Sequence, residues 1–304
     1  MNHPASKKVL GILPRAAGRA TQWRPLLLLL LTGWIPTALL AVPLWRVLAE
    51  NLDNSVHAAQ WAQHVDLVMV SDLAGRMALN GSALAGAGIV SVLALLLLVP
   101  FQNAVLVTVA RTDERLKLGE LLRAGLREYG PMLRMLVVAL LPLGVALGLS
   151  ALAFKGVGKY AEHALLAADV DHVSWLADAL AAVLVIYALA GLEAGRARFA
   201  LDPRRRSAFK AWWRGFKLVF FRPLACAGIF LGVSVPALVV VAGLALARAE
   251  VSTAGAPGFW GGWMLVQLLA LVLIWAHLAR LCGYFELTRA LQEEATAHLR
   301  PNPH

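Results

Sequence analysis

The chain has 304 residues, 60% of them hydrophobic and only 15% charged, with a mean hydropathy of +0.68. An ordinary soluble domain is about 45–50% apolar, so a single soluble globule is excluded, and the surplus is gathered into blocks suited to lipid. The formal net charge is +10. Cys226 and Cys282 are the only two cysteines and show no Cys-x-x-Cys or Cys/His ligand spacing, so neither a disulfide framework nor a zinc site is expected.

Residues 1–24 carry Lys7, Lys8, Arg15, Arg19 and Arg24 and no acid. The apolar run 25–44 follows, about 20 residues long, enough to cross a hydrocarbon layer of ~30 Å. It holds Pro36 and Pro43 and ends at Trp45-Arg46 rather than at a small-x-small cleavage site. A retained span is therefore expected over a signal peptide. From Glu50 to Ser82 the chain is polar and net acidic, with Trp61, Val65, Val68, Met69 and Leu73 at helical spacing. That spacing predicts a short amphipathic helix on the outer surface. Asp53, His57 and His64 share one face of it, which reads more simply as a solvated face than as a metal site. Further spans are expected at about 83–110, kinked at Pro100, then 135–154, 173–194, 223–247 and 259–281. The organisation is thus a basic N-terminus (1–24), a six-span membrane domain (25–281) and a polar tail (282–304).

Charge fixes the direction of threading. Of the 28 Lys and Arg, 23 fall in the segments on one side of these spans, while the 18 acids divide equally. The segments rich in Lys and Arg are expected on the cytoplasmic side, which puts both termini inside. The longest of them, RARFALDPRRRSAFKAWWRGFKLVFFRP from Arg196, leads straight into the fifth span. Its Arg204, Arg205, Arg206, Lys210, Arg214, Lys217 and Arg222 are expected to meet anionic headgroups on the cytoplasmic face. Trp212 and Trp213 suit the depth of the headgroup boundary.

An internal repeat is also legible. Aligning Gly125 on Gly215 matches Leu122 to Trp212, Leu126 to Phe216 and Arg127 to Lys217, and each segment precedes an outward span. The inner ends of spans four and six match as well, Glu193 with Arg196 and Glu286 with Arg289. Gly18 before Trp23-Arg24-Pro25 gives a weaker third copy. The expected fold is an all-α integral membrane protein of six transmembrane helices. They form three hairpins, each preceded by an amphipathic interfacial helix. Gly144, Gly148, Gly228 and Gly232 are expected to allow close helix packing.

Polar groups near or within the spans are the candidate sites. Asp178 is an acid inside span four and a functional candidate for that reason, with Lys155 or Lys159 as ordinary partners. Glu193, Arg196, His277, Arg280, Glu286 and Arg289 are expected to form a polar cluster at the inner rim, acting as latches between helices. A Ser/His dyad of Ser150 and His277 is excluded by depth, since they lie roughly 15–20 Å apart along the spans. No catalytic residue, cofactor or metal is expected, and HExxH and glycine-rich phosphate loops are missing from the sequence.

The run GRARFALDPRRRSAFKAWWRGFKLVFFRPLACAGIF, with LGELLRAGLREYGPMLRM before it, resembles a group of bacterial multi-pass inner-membrane proteins. It is also loosely similar to the membrane domain that accompanies some glycerophosphodiester phosphodiesterases. The resemblance covers residues 110 to 225 best. It implies cytoplasmic amphipathic helices alternating with hairpins in a bacterial inner membrane. The phosphodiesterase activity is not implied, since no such catalytic domain is expected in this chain. The expected function is a non-enzymatic scaffold or accessory subunit that engages membrane lipids, and a protein partner, through its basic face. Nucleic acid is not an expected partner. A small-molecule or lipid transporter is the alternative, and a polar cavity lined by Asp178 or Gln267 would favour it.

Overall fold

The computed structural model describes residues 4–52, 71, 74–75, 77–78, 80–112, 114–162, 167–202, 207–251 and 255–298. The outer helix expected around 61–73, and the face of Asp53, His57 and His64, fall outside these residues or almost entirely so.

All the described elements are helical: α1 (Pro4–Ala20), α2 (Trp23–Leu52), α3 (Gly81–Arg111), α4 (Leu118–Arg127), α5 (Tyr129–Ala161), α6 (Ala167–Leu201), α7 (Ala208–Phe221), α8 (Pro223–Glu250) and α9 (Gly255–His298). Six of them, α2, α3, α5, α6, α8 and α9, are long and apolar enough to cross a membrane. The chain is accordingly a multi-pass membrane protein.

Proline stands near the start of the first helix of each pair without breaking it. Pro25 and Pro131 lie in the first turns of α2 and α5, and Pro223 opens α8, where no intrahelical N–H bond is needed. Arg222 before Pro223 is pushed out of the helical region, with φ −131° and ψ 57°, and this ends α7. Ser207 caps the other end of α7, its hydroxyl accepting from the Lys210 N–H at 3.3 Å. Helix α3 is continuous through Pro100. Pro100 lies at a buried position where neighbouring helices hold α3 in place.

The long helices pair in chain order: α2 with α3, α5 with α6, and α8 with α9. The first pair is antiparallel, since Ser91 Oγ donates to the Pro36 carbonyl (2.6 Å) and Gln102 Nε2 to Thr32 Oγ1 (3.1 Å). The last pair is antiparallel too. Arg280 Nη1 donates to Ser234 Oγ (3.2 Å), and Tyr284 donates to the Cys226 carbonyl (3.2 Å).

The short helices dock in a regular order. Helix α4 lies against α3 and α2, α7 against α6 and α5, and α1 against α9 and α8. Each short helix therefore sits on the pair that precedes it, and the first sits on the last, which closes a ring. Inside the ring α3, α6 and α9 touch one another. One end of each is the core: Asn103–Ala110 on α3, Gly191–Gly195 on α6 and Leu281–Gly283 on α9 are buried without a gap. The opposite half of the bundle is open by contrast, with Leu93 and Leu97, Trp175 and Leu176, and Leu238 and Val239 all exposed. Lipid tails are as apolar as leucine, so these faces need no protein cover.

Helix α9 continues to His298 and buries Cys282, Tyr284, Phe285, Leu287 and Thr288. An apolar stripe at Leu281, Tyr284-Phe285 and Thr288, at helical spacing, keeps it docked. Of the glycines expected at close contacts, Gly232 is at one and Gly144 and Gly148 are not. A Cβ on Gly144 or Gly148 would meet nothing within 4 Å, whereas one on Gly232 would meet Leu13 of α1 at 2.9 Å. The tightest crossing is α6 on α7. A Cβ on Gly195 would lie 2.9 Å from the Trp212 Cα, and one on Gly215 would fall on the Gly195 backbone. Gly191-Leu-Glu-Ala-Gly195 is a G-x-x-x-G pattern, the sequence signal for such an approach.

Candidate functional site

A buried carboxylate lies in the core of the ring. Glu193 is 3% exposed and sits on the α6 strip that faces both α7 and α9. Arg280 of α9 reaches it with Nε, at 3.0 Å from Oε1 and 3.2 Å from Oε2. His277 Nδ1 lies 3.0 Å from the same Oε1. A carboxylate only accepts, so the His277 proton on that side belongs on Nδ1. The 3.4 Å approach of Arg280 Nη2 to Nδ1 is then a packing contact, not a second hydrogen bond. Arg280 is further fixed by Ser234 and by the Phe230 ring, whose centroid is 5.1 Å from its Cζ. Three helices, α6, α8 and α9, are tied at this point.

The expected six-residue cluster thus resolves into separate contacts. Glu193, His277 and Arg280 come together. Arg196 forms no ion pair with Glu193 among the described residues, and its Nε is buried without a hydrogen-bond partner. Glu286 pairs with Arg19 of α1 at 2.6 Å rather than with Arg289, and the approach is a charge contact off the hydrogen-bond axis. Arg289 pairs with Glu293 one turn on, at 3.1 Å. Glu193 and Glu286 thus pair with residues of other helices, while Arg289 pairs within its own. One latch had no sequence signal at all. Glu128, also buried, lies 3.6 Å from Arg111 and 3.7 Å from Arg127 across the α3–α4–α5 junction.

Helix α7 has three faces. Ala208, Ala211, Trp212, Gly215, Leu218 and Val219 are buried. Phe209, Trp213 and Phe220 form an exposed aromatic stripe, and Trp213 stacks on Phe216. Lys210, Arg214 and Lys217 make a cationic edge. Trp212 is on the buried face. It is 5% exposed against 44% for Trp213, because the small surface of Gly195 receives it. Arg204, Arg205 and Arg206 lie outside the described residues.

Among the described residues, clefts open at this end beside α7, α1 and α4. The cleft of α7, of about 540 Å³, is bounded by Arg198 of α6, Arg214 and Lys217 of α7, Arg222, and Leu291 and Glu294 of α9. That of α1, about 470 Å³, has Arg15, Arg19 and Arg289 facing Glu286 and Glu293. That of α4, about 310 Å³, has Arg111, Arg123 and Arg127 with Glu120.

The other candidates stay apart. Asp178 is exposed on α6 and makes no ion pair among the described residues, with Lys155 and Lys159 included. Gln267 accepts from the Trp34 indole at 2.8 Å. Neither lines any of the three clefts. Ser150 donates to the Ala146 carbonyl at 2.8 Å within its own helix, and the buried cysteines are both free. Among the described residues no group of three His, Cys, Asp or Glu could hold a metal. No protein-family model, curated protein or solved structure matches this chain.

Proposed function

We propose that this protein is a non-enzymatic scaffold or accessory subunit of a bacterial inner membrane, with both termini in the cytoplasm. Its three helical hairpins are copies of one unit, and α1, α4 and α7 are interfacial helices. Its basic cytoplasmic end engages anionic lipid and a protein partner. The observation that carries this reading is the latch at Glu193. A transport path needs polar or interrupted helices around a water-filled cavity. Here the buried acid is satisfied by Arg280 and His277 inside a three-helix core, and α3, α6 and α9 run without interruption.

The cyclic docking of the short helices supports the repeat, and Gly125 and Gly215 support it at residue level. Each lies where its short helix meets the second helix of the preceding pair, Gly125 against Phe101 and Gly215 against Gly195. The excess of Lys and Arg at this end supports the orientation. The aromatic stripe of α7 beside its cationic edge supports an interfacial position.

The test is purification of the tagged chain in mild detergent, followed by reconstitution. A scaffold co-purifies with one protein in fixed ratio, and Lys210→Glu with Arg214→Glu abolishes the association. A chain that purifies alone and moves a solute across proteoliposomes would establish the transporter instead.

A further inference from the structure

The clefts beside α1, α4 and α7 differ in charge balance. In the α1 cleft the Arg19–Glu286 and Arg289–Glu293 pairs neutralise two of three arginines. In the α4 cleft Glu128 lies against both Arg111 and Arg127. The α7 cleft places four cations against a single carboxylate, Glu294. Among the described residues none of Arg198, Arg214, Lys217 and Arg222 makes an ion pair. The Nε of Arg198 is buried and has no hydrogen-bond partner. A buried donor left unpaired costs about 1–3 kcal/mol, so this group is held ready for an acceptor.

The shape of the cleft limits what the acceptor is. Arg214, Lys217, Leu218 and Phe221 follow one another at three, four and seven residues along α7, so cationic and apolar side chains share one wall. Phe221 is 73% exposed and adjoins Arg222-Pro223, where the chain turns into the apolar helix α8. A small inorganic anion has no use for that apolar rim. An amphiphile has use for both parts.

We propose that the α7 cleft binds the phosphodiester of one anionic membrane phospholipid. Arg198, Arg214, Lys217 and Arg222 surround the phosphate, and Leu218 and Phe221 lie along the glycerol and upper acyl chain. Guanidinium groups match phosphate oxygens in pairs, and basic pockets beside membrane helices recognise anionic headgroups in this way. The inference rests on the cytoplasmic, interfacial placement of α7 proposed above, and it adds one defined site and a stoichiometry of one lipid per chain.

Native mass spectrometry of the full chain in nonionic detergent tests it, with phosphatidylglycerol, phosphatidylethanolamine or inorganic phosphate added in turn. One phosphatidylglycerol is expected to remain bound, at least tenfold in preference to phosphatidylethanolamine. Lys217→Gln, at an exposed position that folding tolerates, and Arg198→Gln are each expected to weaken retention roughly tenfold, from the loss of a charge-assisted hydrogen bond. Arg15→Gln and Arg123→Gln, in the other two clefts, are expected to leave it unchanged. Equal retention of both lipids, equal loss in all four variants, or competition by inorganic phosphate at the same site would each overturn the proposal. Impermeant labelling of a cysteine at position 217 in intact cells separates the two failures. Labelling from outside removes the underlying orientation. Protection from outside with no preferred lipid removes only the site.

Discussion

Arg280 Nε bridges both carboxylate oxygens of Glu193, at 3.0 and 3.2 Å, across 87 residues of sequence and inside the core of the ring. Removing either partner strands the other charge in a place with little water. Arg280→Leu is expected to destabilise the fold by about 3–5 kcal/mol, the usual cost of an orphaned buried charge. Glu193→Gln combined with Arg280→Leu is expected to recover most of that loss. Thermal unfolding in detergent, followed by tryptophan fluorescence, measures all corners of the cycle. Additive single and double values would show that the contact carries no coupling.

The α6–α7 crossing gives a sharper packing prediction. Gly215→Ala places its methyl on the Gly195 backbone, which has no rotamer to escape into. The change is expected to cost about 1–3 kcal/mol, in the range of overpacked cores. Gly125→Ala meets only the Phe101 ring, which is free to turn, and is expected to cost less. Gly144→Ala meets open space and is expected to be neutral or stabilising by about 0.5–1 kcal/mol, from helix propensity alone. The order of the three melting temperatures is the check, and a Gly215→Ala protein as stable as Gly144→Ala would contradict the crossing.

Ring closure depends on a contact between distant parts of the chain, Arg19 with Glu286 at 2.6 Å. Arg19→Glu puts two acids together and is expected to free α1, seen as faster proteolysis within residues 11–20. The exchange Arg19→Glu with Glu286→Arg restores opposite charges and is expected to restore protection. An exchange variant cleaved as fast as Arg19→Glu would remove the pair from the closure.

Orientation is tested separately from function. A cysteine at exposed Glu162, between α5 and α6, is expected to react with an impermeant maleimide added to intact cells. One at exposed Arg115, before α4, is expected to react only after permeabilisation. The native Cys226 and Cys282 are buried and give little background. The reverse pattern would invert the proposed threading.

The comparison of sequence with fold separates two kinds of information. The six long helices and the short basic ones were legible because hydropathy and charge report how a segment meets lipid and water. The neighbours of each segment were not, because a leucine facing lipid and a leucine facing protein look alike to hydropathy. Trp212 and Trp213 show this: adjacent and chemically identical, one fills a protein crossing and the other stays exposed. Glycine spacing carried the missing information at Gly191 and Gly195, while Gly144 and Gly148 carry none. The polar cluster was half legible. Its members were recognisable as charges at helix ends, but the partners of Glu193 and Glu286 lie on other helices, and one of them, Arg19, belongs to a different end of the chain.

The docking of α1 on α8 and α9 has a temporal meaning. A ribosome delivers α1 well before α8 and α9, so this helix must wait through the synthesis of the intervening helices before it finds its place. The completed bundle therefore differs from every shorter nascent form in one visible respect, the occupancy of that place.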